Sequence, residues 1–111
     1  MIYHITLPDR WHNASAAGEY RTASLETEGF IHCSEAGQVE RSLNRFYRDE
    51  PEVLLLTIDP ALLASELKYE PAHDELFPHI YGPLNIDAVV VVELLKAEEG
   101  GGYHYRPERE N

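Results

Sequence analysis

The 111-residue chain carries one cysteine, Cys33, so an internal disulfide framework is excluded. A Cys₄ or Cys₂His₂ zinc module within one chain is excluded with it. Only two lysines are present, Lys68 and Lys96, and nine basic residues face twenty acidic ones for a formal charge of -11. Nucleic-acid binding depends on basic side chains displacing counterions from phosphates, so no nucleic-acid partner is expected. The same charge disfavours a grip on anionic membranes. No apolar run approaches the ~20 residues of a membrane-spanning helix. The opening MIYHITLPDRW has neither the basic region nor the apolar stretch of a signal peptide, and a cytoplasmic location is expected. Gly-x-Gly-x-x-Gly, Walker, Gly-x-Ser-x-Gly and HExxH patterns are all missing.

What is present is an ordinary amount of apolar residue, 43%, in a length that suits one domain. Ile2 to Thr6 reads as a short strand and Pro8 ends it. Asp9 caps a helical turn through Ala14 that stops near Gly18. Tyr20 to Ala23 reads as a brief extended piece, and Phe30 to Cys33 as a second strand. Ser34 is expected to cap the clearest helix, 35–48, where Ala36, Val39, Leu43 and Phe46 recur every three or four residues. Val53 to Ile58 reads as a mostly buried strand and Pro60 to Ser65 as one helical turn. Leu67 to Glu70 makes another strand that Pro71 stops. Three prolines and Gly82 give 71–84 the chemistry of an apolar loop. The β-branched run Val89 to Val92, inside Ile86 to Leu95, predicts a central strand buried on both faces. Strands do not alternate regularly with helices, so the expected fold is α+β, a small curved mixed or split sheet with one main helix. Residues 1–95 form the expected domain. Residues 96–111, with three consecutive glycines, form a flexible tail in which Tyr103-His104-Tyr105 either adds an edge strand or packs on the surface.

Six histidines exceed what a scaffold needs. His4 shares a strand face with Thr6, and His32 shares one with Ser34. If the two strands are neighbours, both imidazoles line one wall; otherwise each is a semi-buried histidine with a backbone partner. His79 lies in the loop that would close over them. Glu70 ends a strand, where a carboxylate either orients a ligand hydroxyl or stays solvated. Gln38 stands early in the main helix on the side of Ser34, and Tyr81 either stacks on a planar ligand or fills the core. His73 and His79 match no metal spacing, and adjacent His32 and Cys33 point to opposite faces, so no metal is expected. Cys33 reads as a buried, inert thiol.

Four segments together resemble a known family: Tyr3-His4-Ile5-Thr6, Glu28-Gly29-Phe30-Ile31-His32-Cys33-Ser34, Tyr69-Glu70, and Phe77-Pro78-His79-Ile80-Tyr81-Gly82-Pro83-Leu84. They resemble the family called domain of unknown function 952 over nearly all of residues 1–95. Its fold resembles that of the ADP-ribosyltransferases, which hold NAD in a cleft of a split sheet. The resemblance implies that His4-Ile5-Thr6 corresponds to a His-Gly-Thr strand that holds ribose and nicotinamide, with Ile5 in place of the glycine. It puts His32 where a tyrosine stacks on nicotinamide, and leaves Glu70, His79 and Tyr81 as candidates for the third, glutamate motif. A histidine in the middle position also resembles the RNA 2'-phosphotransferase branch, whose substrate this acidic chain does not suit. The implied cofactor is NAD, the implied reaction ADP-ribosyl transfer (a glycosyltransferase step), and the implied partner a small-molecule nucleotide. His32, Glu70 and His79 are the catalytic candidates. His4, Thr6, Ser34, Gln38 and Tyr81 are the cofactor-binding candidates. A non-catalytic nucleotide or ADP-ribose binding domain is the alternative, a metal-binding or purely structural protein the second. Either a monomer or a weak homodimer is expected.

Overall fold

The computed structural model describes residues 1–106. Strand β1, Ile2–Thr6, alternates so that Ile2, His4 and Thr6 face one side and Tyr3 and Ile5 the other. Pro8 occupies the first helical position, where its missing N–H costs nothing. It opens α1, Pro8–Ala17, a ten-residue helix where one turn is expected from the sequence. Gly18 ends it at φ 90°, its amide bonded to the Ala14 carbonyl. The extended piece expected over Tyr20 to Ala23 is cut short. β2 is only Glu19–Tyr20, because the Thr22 side chain accepts from the Leu25 amide and caps a short helix, α2, Ala23–Thr27.

β3 is Ile31–His32. Ser34 is not the cap of the next helix. Glu35 is: its carboxylate takes the Gln38 amide, and the Gln38 side chain takes the Glu35 amide at 2.9 Å, a reciprocal capping box. The resulting 3₁₀ turn, Ala36–Gln38, leads into α3, Val39–Phe46. Ser34 is occupied elsewhere, bridging the Tyr3 backbone in both directions at 2.7 and 2.8 Å. Val39 and Leu43 are fully buried, but Phe46 is 64% exposed, so the apolar stripe ends a turn early.

β4, Glu52–Ile58, is the true central strand, followed by a 3₁₀ turn at Pro60–Leu62. β5, Glu66–Ala72, and β6, Glu75–Tyr81, form a hairpin across the stretch read from the sequence as a loop. Its turn is His73–Asp74, with φ of 49° and 65°, the left-handed pair that a two-residue hairpin connection needs. The prolines fit because no ladder needs their N–H. Pro71 lies on the outer strand β5. Pro78 lies beyond the two residues that β3 pairs, and only its carbonyl is used, by the Cys33 amide at 3.0 Å. β7, Leu84–Asn85, pairs with β2, and a 3₁₀ turn, Ile86–Ala88, precedes β8, Val89–Lys96.

The fold is α+β. In place of a mixed curved sheet there are three small sheets, β1-β4-β8, β2-β7 and β3-β6-β5, with every strand pairing antiparallel. β8 is an edge, not a centre. The long sheet has a core on each face. Ile2, Leu54, Leu56 and Ile58 pack with Trp11, Tyr20, Ile31 and Ile80 on one side. Ile5, Val53 and Leu55 pack with Val39, Leu43 and Tyr103 on the other. The segment expected as a flexible tail is docked as far as Tyr105, and its last part, 107–111, lies outside the described residues. The Asn44 amide group exchanges two hydrogen bonds with the Tyr103 backbone, at 2.7 and 2.8 Å, and the Tyr103 hydroxyl donates to the Glu50 carbonyl. No helix among the described residues is long and apolar enough to cross a membrane.

Candidate functional site

A cavity of about 410 Å³ opens between β1, α3 and the β5–β6 hairpin. β1 contributes Tyr3, His4 and Ile5, and the chain just after β3 adds Cys33 and Ser34 beside His32. From α3 come Ser42, Arg45 and Phe46, with Tyr47 following; the hairpin adds Ala72, His73, Phe77 and His79. The isolated Tyr3–Ser34 bridge is what joins the sheets here, bringing His4 beside His32.

His79 is the chemically organised group. Its Nδ1 lies 2.8 Å from Glu70 Oε1, and a carboxylate can only accept, so Nδ1 carries a proton and Nε2 is the nitrogen left for other chemistry. The Tyr81 hydroxyl donates to the same oxygen at 2.6 Å. The bonds from Tyr81 and His79 hold the Glu70 carboxyl below the usual range, so it stays ionised. Phe30 stacks on the His79 ring at 4.0 Å and 18°, and His32 meets it edge-on at 5.3 Å. The Lys68 ammonium lies over the Tyr81 ring, 4.7 Å from its centre. The His79 imidazole is thus fixed by one hydrogen bond and two aromatic contacts.

His4 is held differently. Its Nδ1 donates to the His32 carbonyl at 2.6 Å, and Nε2 lies 2.8 Å from the Tyr20 hydroxyl, whose oxygen is in turn 2.8 Å from Thr6 Oγ1. Burial, opposed in part by the bond to the His32 carbonyl, pushes its pKa down to about 4, so the ring is neutral near pH 7. The His32 ring is exposed, with Nε2 3.1 Å from the Glu28 carboxylate. The Ser34 and Ser42 hydroxyls share a 3.0 Å hydrogen bond within the wall. Burial pushes the Cys33 thiol far up, which leaves a thiol and not a thiolate.

Of the residues picked from the sequence, His4, His32, Ser34 and His79 therefore line one cavity. Glu70 and Tyr81 reach it only through His79. Thr6 stands behind His4 and Tyr20. Gln38 points its amide to the Leu76 carbonyl at 2.9 Å and to Glu75, so it staples the 3₁₀ turn to the hairpin. Arg41 reinforces that staple through a paired contact with Glu75. Sequence reasoning missed Phe30 as a ring partner and missed the α3 contribution. Ser42, Arg45 and Phe46 do carry a signal, a shared helical face at spacings of three and four. Among the described residues, no three His, Cys, Asp or Glu side chains group closely enough to hold a metal ion.

Residues 5–92 match the model of a family described as "Protein of unknown function (DUF952)". The chain belongs to this family. Its fold is similar to the crystal structure of protein CC0527 from Caulobacter crescentus, with a TM-score of 0.85 and 28% identity. That alignment covers 93% of this chain and 92% of CC0527. The solution structure of CC0527 gives a TM-score of 0.79 and 29% identity, covering 92% and 90%. No curated protein matches this DUF952 chain.

Proposed function

We propose that this DUF952 domain is a nucleotide-utilising enzyme, an ADP-ribosyltransferase-like protein whose ligand is NAD. The observation that carries the reading is His79, oriented by Glu70 and bordering a cavity that His32, Ser34 and Arg45 also line. A histidine whose Nδ1–H is held by a carboxylate is the arrangement of a general base, because Nε2 takes a proton and the carboxylate steadies the imidazolium formed. The volume, about 410 Å³, falls in the ~300–1,000 Å³ range of small-molecule sites.

The residues present suit the nicotinamide riboside end of NAD. Phe77 and Tyr47 offer flat apolar walls, Ser34 and Ser42 offer hydroxyls for ribose, and Arg45 offers the cation a phosphate needs. NAD, when bound, supplies the ribose–nicotinamide bond that the transfer exchanges. The chain's own part is to hold the ligand and move one proton. His79 Nε2 accepts the proton of the attacking acceptor, Glu70 fixes the His79 tautomer, and Tyr81 fixes Glu70. His32 contacts ligand at the cavity edge. His4 acts from the cavity wall by holding the His32 carbonyl, Thr6 one layer back behind it, and Gln38 by anchoring the hairpin.

The competing reading is a non-catalytic nucleotide or ADP-ribose binding domain. Phe30 favours it, since its ring already covers one face of His79 at 4.0 Å, in the manner of a recognition cage. Nicotinamide release from NAD, with water as acceptor, separates the two. The wild-type domain should release nicotinamide, and His79→Asn should reduce the rate about 100-fold or more while leaving NAD affinity within a few-fold. NAD binding without release in the wild type favours the binding domain. Neither binding nor release contradicts both.

A further inference from the structure

β8 has the composition of a sheet centre and the position of a sheet edge. Its inner side pairs with β4 from Val89 to Lys96, with a register shift that leaves Val90 unpaired, and no described strand pairs with its outer side. Val90, Val91, Val92 and Leu94 remain 48, 51, 44 and 49% exposed. Sheets ordinarily blunt a free edge with charge, proline or a short strand. This one is eight residues long and carries two charges, Glu93 and Lys96.

We propose that β8 pairs with β8 of a second copy of this chain, antiparallel about a two-fold axis at Val92, to make the six-stranded sheet β1-β4-β8-β8-β4-β1. Antiparallel self-pairing about such an axis keeps each side chain on its own face and sets residue i opposite a partner residue equally far beyond the axis. With the axis at Val92, Val90 meets the partner's Leu94 and Val92 meets its own counterpart. Val92 and Leu94 share the face of Leu54 and Leu56, so the apolar stripe continues across the junction. On the reverse face Val91 meets the stem of the partner's Glu93, while Lys96, on the Val92 face, falls opposite Ala88 just before the partner strand begins. No like charges are opposed. An axis at Glu93 would set two carboxylates against each other, and one at Val91 would push Leu94 past the start of the partner strand.

Charge also favours this face for a second copy. Each copy carries -11, and β8 itself carries one acid and one base. The strip is one strand wide, less than the ~800 Å² per partner of a standard interface, so association depends on concentration. Repulsion between two acidic bodies opposes it, and added salt should therefore strengthen the dimer by screening.

Sedimentation across protein concentrations up to ~1 mM, at low and high salt, tests the proposal. The mass should rise from 12.7 kDa toward twice that value, more readily at high salt. Val92→Lys, which opposes two ammonium groups on the axis, should keep the mass at 12.7 kDa with an unchanged circular dichroism spectrum. Val92→Cys should form a covalent dimer on mild oxidation, because directly opposed residues meet disulfide geometry and the native Cys33 is buried. Val91→Cys, opposed to Glu93, should form far less. A wild-type mass that stays at the monomer value overturns the proposal, as does a dimer that Val92→Lys leaves intact.

Discussion

Lowering the pH from 7.5 to 5 should destabilise this protein through one residue, His4. The ring is 6% exposed and locked between the His32 carbonyl and the Tyr20 hydroxyl, and burial pushes its pKa down to about 4. In the unfolded chain it returns to the ordinary value near ~6.5. The folded value lies below the unfolded one, so the unfolded chain takes up the proton first. The stability tied to neutral His4 is fully present above pH ~6.5 and is lost as the pH falls toward 4. The whole gap is worth about 3 kcal/mol, of which about 2 kcal/mol is gone by pH 5. Glu70 and Glu75, both held below the usual carboxylate range, give up their contributions at more acid pH. Trp11, the only tryptophan, is buried 6.2 Å from Tyr20 and reports unfolding by fluorescence. Urea denaturation at the two pH values should show wild type losing about 2 kcal/mol more than His4→Gln does, whatever the variant costs at pH 7.5. Equal losses in the two proteins would refute the reasoning.

The rest of the interior gives further tests. Tyr20→Phe removes the hydroxyl between His4 and Thr6 and should cost about 1–3 kcal/mol in the same denaturation assay, because two buried polar groups lose their partner. Gly82 sits at φ 155°, and a Cβ there would fall 2.4 Å from Ser65 Oγ. Gly82→Ala should therefore destabilise by roughly 1–3 kcal/mol, read as a lower melting temperature, and displace the Ser65 hydroxyl from the Pro83 carbonyl. Asn44→Ala removes both hydrogen bonds to Tyr103 and should make the Gly100–Gly102 turn cleavable by protease while the rest of the domain persists.

Local pattern made part of this fold legible. β1, β4 and α3 announce themselves because their apolar spacing matches the faces they bury, as at Ile2 and His4 or Val39 and Leu43. The β5–β6 hairpin was hidden because Pro71 and Pro78 read as breakers. Whether a proline interrupts a strand depends on whether a neighbour needs its N–H, and that is a fact of topology. β8 was misjudged for a related reason. A run of valines records a preference for burial, while the position of the strand is set by which partners the rest of the chain provides. The histidines of the cavity were visible as residues, but their different states were not. His4 and His32 look alike in sequence; only the Tyr3–Ser34 bridge turns one ring inward and leaves the other exposed. Likewise, Arg45 and Phe46 join the cavity only because α3 docks with that face toward the hairpin.

The central claim is that the cavity beside the Glu70–His79 pair receives a nucleotide. An amide-shift NMR titration of the protein with NAD tests it most directly. Shifts that saturate and concentrate on His32, Ser34, Arg45, Phe77 and His79, while β2 and β7 stay still, are the predicted result. Spectra unchanged at millimolar NAD, or shifts confined to residues away from the cavity, would contradict it.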